Sequence, residues 1–371
     1  MNTVGLIFGW FFTVLFFILA VSMILMGKGF AAFVLLVMTL LSLPQFSAWL
    51  RTKVDFPAYP WARVVVIFLL FVVFTRLLIG GTPTSIYKSP AIEERMMALY
   101  DEKMQTWPVE HEDLYVETQY GTVHVIASGE QELPPLMMLH ASGVAGWSWK
   151  YNAEGLSQHF RIYAVDLIGD AGKSKFDNLN YVMKTGRDQA ELYDEIMEGL
   201  AVEKAYVVGA SEGGFIASNL AMYKPHRVEK LALLGPMGYS GATQSIMRIT
   251  FAQFFPLAVV HNQTFRWAFS DHPVLKEDFT EWFHLIMGGT YPVKVPPMPF
   301  RPEERQQINV PTMMVLGARD HLVGDPDIAR QQAGDIPEIR FEVLDAGHLM
   351  AAELPHETDS LLLDFFEVGE K

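Results

Sequence analysis

From Val4 to Met26 the sequence carries no charged residue. At about 1.5 Å of rise per residue, a helix over this run spans the roughly 30 Å hydrocarbon layer of a bilayer, and it has no polar face to offer water. A second uncharged run, Phe30 to Leu50, follows after only Gly27-Lys28-Gly29, with Pro44 near its end as a kink or stop. So short a break predicts a tight helical hairpin. A third run, Val64 to Ile79, is interrupted only by Arg76 near its end, and Tyr59 and Trp61 ahead of it suit the headgroup level. Residues 1–81 are therefore expected to be an all-α transmembrane region with helices over about 4–26, 30–50 and 61–80. A cleaved signal peptide fits less well, because the first run is longer than a signal core and no basic stretch precedes it.

Five basic residues against Asp55 alone put Met1–Tyr87 at +4, within a chain whose net charge is −14. The rest is strongly acidic, which removes any general attraction to phosphate backbones and makes nucleic acid an unexpected partner. Arg51, Lys53 and Arg63 concentrate in the second loop and favour a cytoplasmic position for it, with the large domain outside; Lys28, Lys88 and Arg95 pull the other way. The expectation is a multi-pass membrane protein with an extracytoplasmic domain. Cysteine is absent, so disulfides, thiolate nucleophiles and Cys-ligated metals are excluded. No His-Glu-x-x-His pair or other metal spacing occurs, and neither metal nor cofactor is expected.

Gly80-Gly81-Thr82-Pro83 breaks the third run. Ile92, Met96, Met97, Leu99, Tyr100, Met104 and Trp107 then recur at close to helical spacing, so 82–110 reads as an amphipathic connector lying on the following domain rather than on lipid. From Asp113 the pattern becomes short apolar and β-branched runs: Leu114–Thr118, Thr122–Ala127, Leu136–Leu139, Arg161–Val165, Ala205–Val208, Lys230–Leu234 and Thr312–Leu316. Helical patterns at Arg187–Leu200, Gly213–Tyr223 and Pro326–Ala333 separate several of them. This alternation predicts an α/β fold with a mostly parallel sheet flanked by helices. It lapses between Gly235 and Pro311 into a stretch rich in Phe, Trp and Met, and an insertion over about 238–300 reads as a helical lid.

Gly209-Ala210-Ser211-Glu212-Gly213 lies between an expected strand and an expected helix. A serine on such a G-x-S-x-G turn exposes its Oγ above the sheet, and the N–H of Glu212, at the start of the helix, can face a developing oxyanion. A serine hydroxyl needs an oriented base. Asp320 ends the run Met313–Leu316, His348 follows the run Phe341–Leu344, and the order Ser211, Asp320, His348 is the one expected for such a sheet. His321 lacks a strand end of its own, and Asp345, an alternative acid, stands only three residues before His348. Gly172-Lys173-Ser174 imitates the end of a phosphate loop, but Leu167 occupies the position of the required earlier glycine. Trp147 and Trp149 are read as packing ahead of pocket lining, and His140 as a brace of its own loop.

On these residues the chain resembles the α/β-hydrolase superfamily, in particular esterase-like members with a helical lid, over roughly Glu112 to Phe366. The resemblance implies Ser211 as nucleophile, His348 as base and then acid, and Asp320 as the group that fixes the imidazole. It maps His140-Ala141-Ser142-Gly143 onto the family's His-Gly-x-Gly loop, with the Ser142 N–H as second oxyanion donor; Ala141 departs from the usual glycine. The expected function is a membrane-anchored serine hydrolase of carboxylic esters, acting on small-molecule esters, lipid-derived ones among them, through an acyl-enzyme on Ser211, with no cofactor. An acyltransferase using the same three residues, or a membrane-anchored binding or sensing protein that keeps the fold without turnover, are the alternatives.

Overall fold

A computed structural model describes residues 3–25, 29–44, 46, 49, 66–71 and 85–367, apart from 240–247, 250, 251, 253–257, 270, 271 and 292. The chain divides into two compact units, Met1–Pro83 and Thr84–Lys371.

In the first unit, helices Thr3–Leu25 and Gly29–Ser42 pack through Phe16, Ala20 and Met23 on one and Ala32, Val34, Leu35 and Met38 on the other. Among the described residues no helix is long and apolar enough to cross a membrane. The expected transmembrane region is thus not shown. The second span is helical over Gly29–Ser42, and of the third only 66–71 lie within the described residues.

Among the described residues the second unit is built on nine strands: β1 (His111–Thr118), β2 (Gly121–Ser128), β3 (Pro135–Leu139), β4 (Arg161–Val165), β5 (Lys175–Phe176), β6 (Ala205–Ala210), β7 (Val228–Leu234), β8 (Thr312–Gly317) and β9 (Arg340–Leu344). Their order is β1-β2-β4-β3-β6-β7-β8-β9, with β5 on β2. The β1–β2 hairpin and the β2–β4 pair are antiparallel; from β4 across to β9 every pair is parallel. The central strands are apolar over most of their length because both their faces are covered. In β3, Leu136 and Met138 enter one core and Met137 and Leu139 the other; in β8, Met313 and Val315 oppose Met314 and Leu316. This is the period-two alternation of a strand, used on both sides.

One face is covered by Leu192, Tyr193 and Ile196 of helix Gly186–Gly199, Ile216 and Leu220 of helix Glu212–Tyr223, and Ala329 and Ala333 of helix Pro326–Ala333. Thr185 and Asp188 close a capping box at the start of the first of these, where its orphan N–H groups need acceptors. The other face carries Trp147, Trp149, Phe160 and Phe366, together with lid helices Ala258–Phe269 and Pro273–Gly289. The connector helix Pro90–Met104 buries Met96, Leu99 and Tyr100 in that same core and is tied to the second lid helix by Lys103–Asp278 (2.8 Å) and Arg95–Glu281.

Candidate active site

Ser211 stands between β6 and its helix with φ +52° and ψ −110°, a left-handed backbone that few residues other than glycine adopt. The turn is possible because Gly209 and Gly213, two residues to either side, lack side chains. A Cβ on Gly209 would lie 2.3 Å from Gly213 O, and one on Gly213 would lie 2.2 Å from Leu139 O. Ser211 N–H donates to Leu234 O of β7 (2.9 Å), and Ser211 O accepts from Phe215 N (3.1 Å) and Met237 N (3.0 Å), so the strained residue is held from both neighbouring elements.

Asp320 follows β8 in a tight turn, where its Oδ1 accepts the N–H groups of Leu322 (2.8 Å) and Val323 (3.0 Å). Its Oδ2 lies 2.7 Å from His348 Nδ1, and both side chains are buried. Burial alone would raise the Asp320 pKa, but the His348 imidazole and the two N–H groups outweigh it and hold the carboxyl below its usual value. With an ionised acceptor at Nδ1, the imidazole carries its proton there and leaves Nε2 as its basic nitrogen. The Asp and His loops are stitched together by Ala318 N to Leu344 O (2.8 Å) and Arg319 N to Ala346 O (2.9 Å). Gly347 N–H donates to buried Glu353 Oε2 (2.8 Å), one residue before His348. Ser211 and this pair meet at the carboxyl end of β7: Leu234 O binds Ser211, while a Cβ on Gly235 would lie 3.1 Å from Asp320 Oδ2 and 3.6 Å from His348 Nδ1.

The loop after β3 brings the other expected donor. His140 Nδ1 donates to Ala141 O (2.8 Å) and its Nε2 accepts from Leu167 N (2.9 Å), so this histidine braces the loop. Val144 N–H is used by Ala141 O (3.3 Å) and Gly143 N–H by Asp170 Oδ2 (2.7 Å). Gly143 has φ +72°, the freedom that Ala141 lacks. Glu212, first in its helix, has no intrahelical acceptor for its own N–H.

Beside these donors lies a group that the sequence patterns do not reveal. Lys294 Nζ contacts Ser142 Oγ (2.5 Å), Glu212 Oε2 (2.6 Å) and Asp170 Oδ2 (3.5 Å). Burial works to lower its pKa, but Asp170 and Glu212 overcome that and raise it, so the ammonium stays charged. The Glu212 side chain is buried at this cation. A buried carboxylate next to the nucleophile turn implies a partner cation, which is the one signal for the half-buried Lys294; its own segment shows no periodicity that would point to it.

Asp345 is exposed and pairs with Arg319 at 3.1 Å, away from the buried acid position. The phosphate-loop imitation is committed internally: Lys173 N donates to Asp166 Oδ2 (2.8 Å) and Ser174 Oγ to Asp166 O (2.7 Å). Trp147 packs on Phe279 and Trp282 of the lid. Trp149 joins His140, Ala141, Val144, Phe279 and His348 around a small apolar cavity of about 30 Å³. Among the described residues no group of acidic or histidine side chains is arranged to hold a metal ion.

Comparison with known proteins gives a consistent result. Residues 136–360 match the alpha/beta hydrolase family. The chain is 31% identical over 284 residues to the uncharacterized carboxylesterase nap of Bacillus subtilis, covering 73% of this chain and 92% of that protein. It is 28% identical to carboxylesterase YbfK of the same organism, covering 75% and 95%. The crystal structure of naproxen esterase from Bacillus subtilis superposes with a TM-score of 0.68, at 28% identity, over 75% of this chain and 99% of that one.

Proposed function

The chain belongs to the alpha/beta hydrolase family, and from that premise we propose that it hydrolyses carboxylic esters through an acyl-enzyme on Ser211. The observation that carries this reading is the buried Asp320–His348 pair at 2.7 Å, ending where a strained Ser211 is displayed. Ser211 Oγ attacks the ester carbonyl as His348 Nε2 takes its proton, and the carbonyl electron pair moves to oxygen, facing the N–H groups of Ser142 and Glu212. Collapse expels the alcohol with the proton from His348. Water then repeats the sequence: His348 takes its proton, the acyl carbon accepts hydroxide, and Ser211 leaves with the proton as the acid is released. Asp320 holds the imidazole tautomer and stabilises the imidazolium. The apolar cavity, with Trp149, Val144 and Phe279, favours an apolar acyl or alcohol part.

The same proposal places the enzyme on a membrane, with residues 1–81 as a multi-pass anchor, the catalytic unit outside the cytoplasm and lipid-derived esters among its substrates. Support comes from the uncharged run Val4–Met26, helical over Thr3–Leu25, and from the exposure of Phe11, Phe17, Ile18 and Phe33 at 53–59%, apolar surface with little reason to face water. Alkaline carbonate extraction tests the anchor: the account expects the protein to stay with the membrane pellet, and full release would contradict it. Protease access in intact cells tests the side.

The catalytic reading is tested by hydrolysis of p-nitrophenyl esters of increasing acyl length by the detergent-solubilised protein and by Ser211→Ala. Turnover that is lost in the variant is the expected result; turnover that survives it contradicts the mechanism. Transfer of the acyl group to an added alcohol in preference to water would favour the acyltransferase alternative.

A further inference from the structure

The proposed reaction needs two N–H donors from two separate segments, Ser142 after β3 and Glu212 after β6, and nothing in either segment alone sets their spacing. Lys294 joins them. It belongs to the strap behind the second lid helix, where Val293 N donates to Gly169 O (2.9 Å) and fixes the strap on the 167–172 loop. From there the ammonium reaches Ser142 Oγ at 2.5 Å and Glu212 Oε2 at 2.6 Å, with Asp170 Oδ2 at 3.5 Å. Asp170 in turn accepts the Gly143 N–H at 2.7 Å, so the loop after β3 is attached to the cation both directly and through a carboxylate. The Glu212 and Asp170 side chains are only 5–6% exposed.

We infer that Lys294 is a positioning residue of the oxyanion hole: one ammonium clamps the side chains of the two donor residues and offsets the Glu212 carboxylate, which is adjacent in sequence to Ser211. Without the cation, the buried carboxylate one residue from Ser211 would be left uncompensated, opposing the negative charge that develops on the carbonyl oxygen and that the N–H groups stabilise. Loss of the clamp therefore falls on the transition state more than on substrate binding. The inference rests on the acyl-enzyme reading of the site.

The test measures kcat and KM for p-nitrophenyl butyrate, and inhibition by an alkyl trifluoromethyl ketone, in the full-length detergent-solubilised protein. The ketone adds Ser211 Oγ at its carbonyl carbon, passes the serine proton to His348 and leaves an oxyanion in the hole, so it reports on the hole itself. Lys294→Met is expected to lower kcat about 10–100-fold with KM changed by no more than about threefold, and to weaken the ketone by a similar factor. Ser142→Ala, which keeps the backbone N–H and removes only the hydroxyl that Lys294 grips, is expected to give a smaller loss of the same kind. A folded Lys294→Met that keeps kcat and ketone affinity within about twofold, or that changes KM alone, overturns the inference. Should Lys294→Met fail to fold, Ser142→Ala decides: unchanged kcat and ketone affinity overturn it. Ser211→Ala in the same series separates the two layers. Turnover that depends on Ser211 but ignores Lys294 sinks only the clamp, whereas turnover that survives Ser211→Ala sinks the acyl-enzyme reading beneath it.

Discussion

At the scale of single residues, the site is a set of constraints that leave few substitutes. Ser211 holds φ +52° at a cost of about 1–3 kcal/mol, and its two flanking glycines are required by backbone approach rather than by flexibility. A Cβ on Gly213 would meet Leu139 O at 2.2 Å and Leu139 C at 2.6 Å, atoms of a central strand that cannot swing away. Gly213→Ala is expected to lower stability by on the order of 2 kcal/mol in urea unfolding and to abolish turnover. Asp320→Asn should keep the fold and lower kcat by on the order of 10³–10⁴-fold, because an amide no longer stabilises the imidazolium. Asp320 also links stability to pH. Its folded pKa is depressed, so its contribution is present above the ordinary carboxylate value of about 3.9 and is lost as pH falls through the lower folded value. The strained turn at Ser211 and the Asp320–His348 pair were legible in the sequence because residue type, a strand end and chain order coincide there. Lys294 was not, since a lone lysine in an irregular strap carries no period and its partners Ser142, Asp170 and Glu212 lie on three other segments.

At the scale of elements, strands were readable where both faces are buried and the apolar run is unbroken, as in β3 and β8. The two-residue β5 was missed, since Lys175–Phe176 owes its pairing to Gly121 and Thr122 and to no pattern of its own. Side-chain couplings between helices were equally hidden. Asp278 on the second lid helix joins Lys103 of the connector, Lys150 and Tyr151; burial pushes its carboxyl up, but these three partners prevail and bring it down to about 2. Asp278→Asn is expected to raise amide hydrogen exchange in Pro273–Gly289 and in the connector helix together, while exchange in β6 and β7 stays unchanged. On the same face of the sheet, Asp359 of helix Pro355–Phe366 is pushed up to about 7, chiefly by burial, against the hydrogen bond from Asn152 Nδ2 (2.7 Å). An acid with a raised folded pKa keeps its proton in the fold while the unfolded chain has lost it, so stability falls between about pH 4 and pH 7, by about 1.4 kcal/mol per unit at most. Asp359→Asn, which mimics the neutral acid, should raise the melting temperature at pH 8 and leave it nearly unchanged at pH 4.

At the scale of the whole molecule, the sequence separates an apolar, basic N-terminal segment from an acidic α/β unit, and the structure divides between Pro83 and Thr84. The catalytic unit contains its own two-sided core, its lid helices and its connector helix. A fragment of residues 84–371 is therefore expected to fold and to hydrolyse a short, soluble p-nitrophenyl ester with kcat/KM within about threefold of the full chain, checked by steady-state kinetics in the same detergent. What the sequence could not give at this scale is the substrate. The cavity beside His348 is shaped by Trp149 and by lid residue Phe279, far apart in the chain, and its shape follows from their packing. The central claim remains an acyl-enzyme on Ser211, and covalent labelling reads it most directly. The full-length protein is treated with a fluorophosphonate, digested, and the adduct located by mass spectrometry, with Ser211→Ala and His348→Ala alongside. The account predicts a single adduct on the peptide containing Ser211, absent in Ser211→Ala and formed at least about 100-fold more slowly in His348→Ala. An unmodified Ser211 in protein that turns over esters, or an adduct formed equally fast without His348, would contradict it.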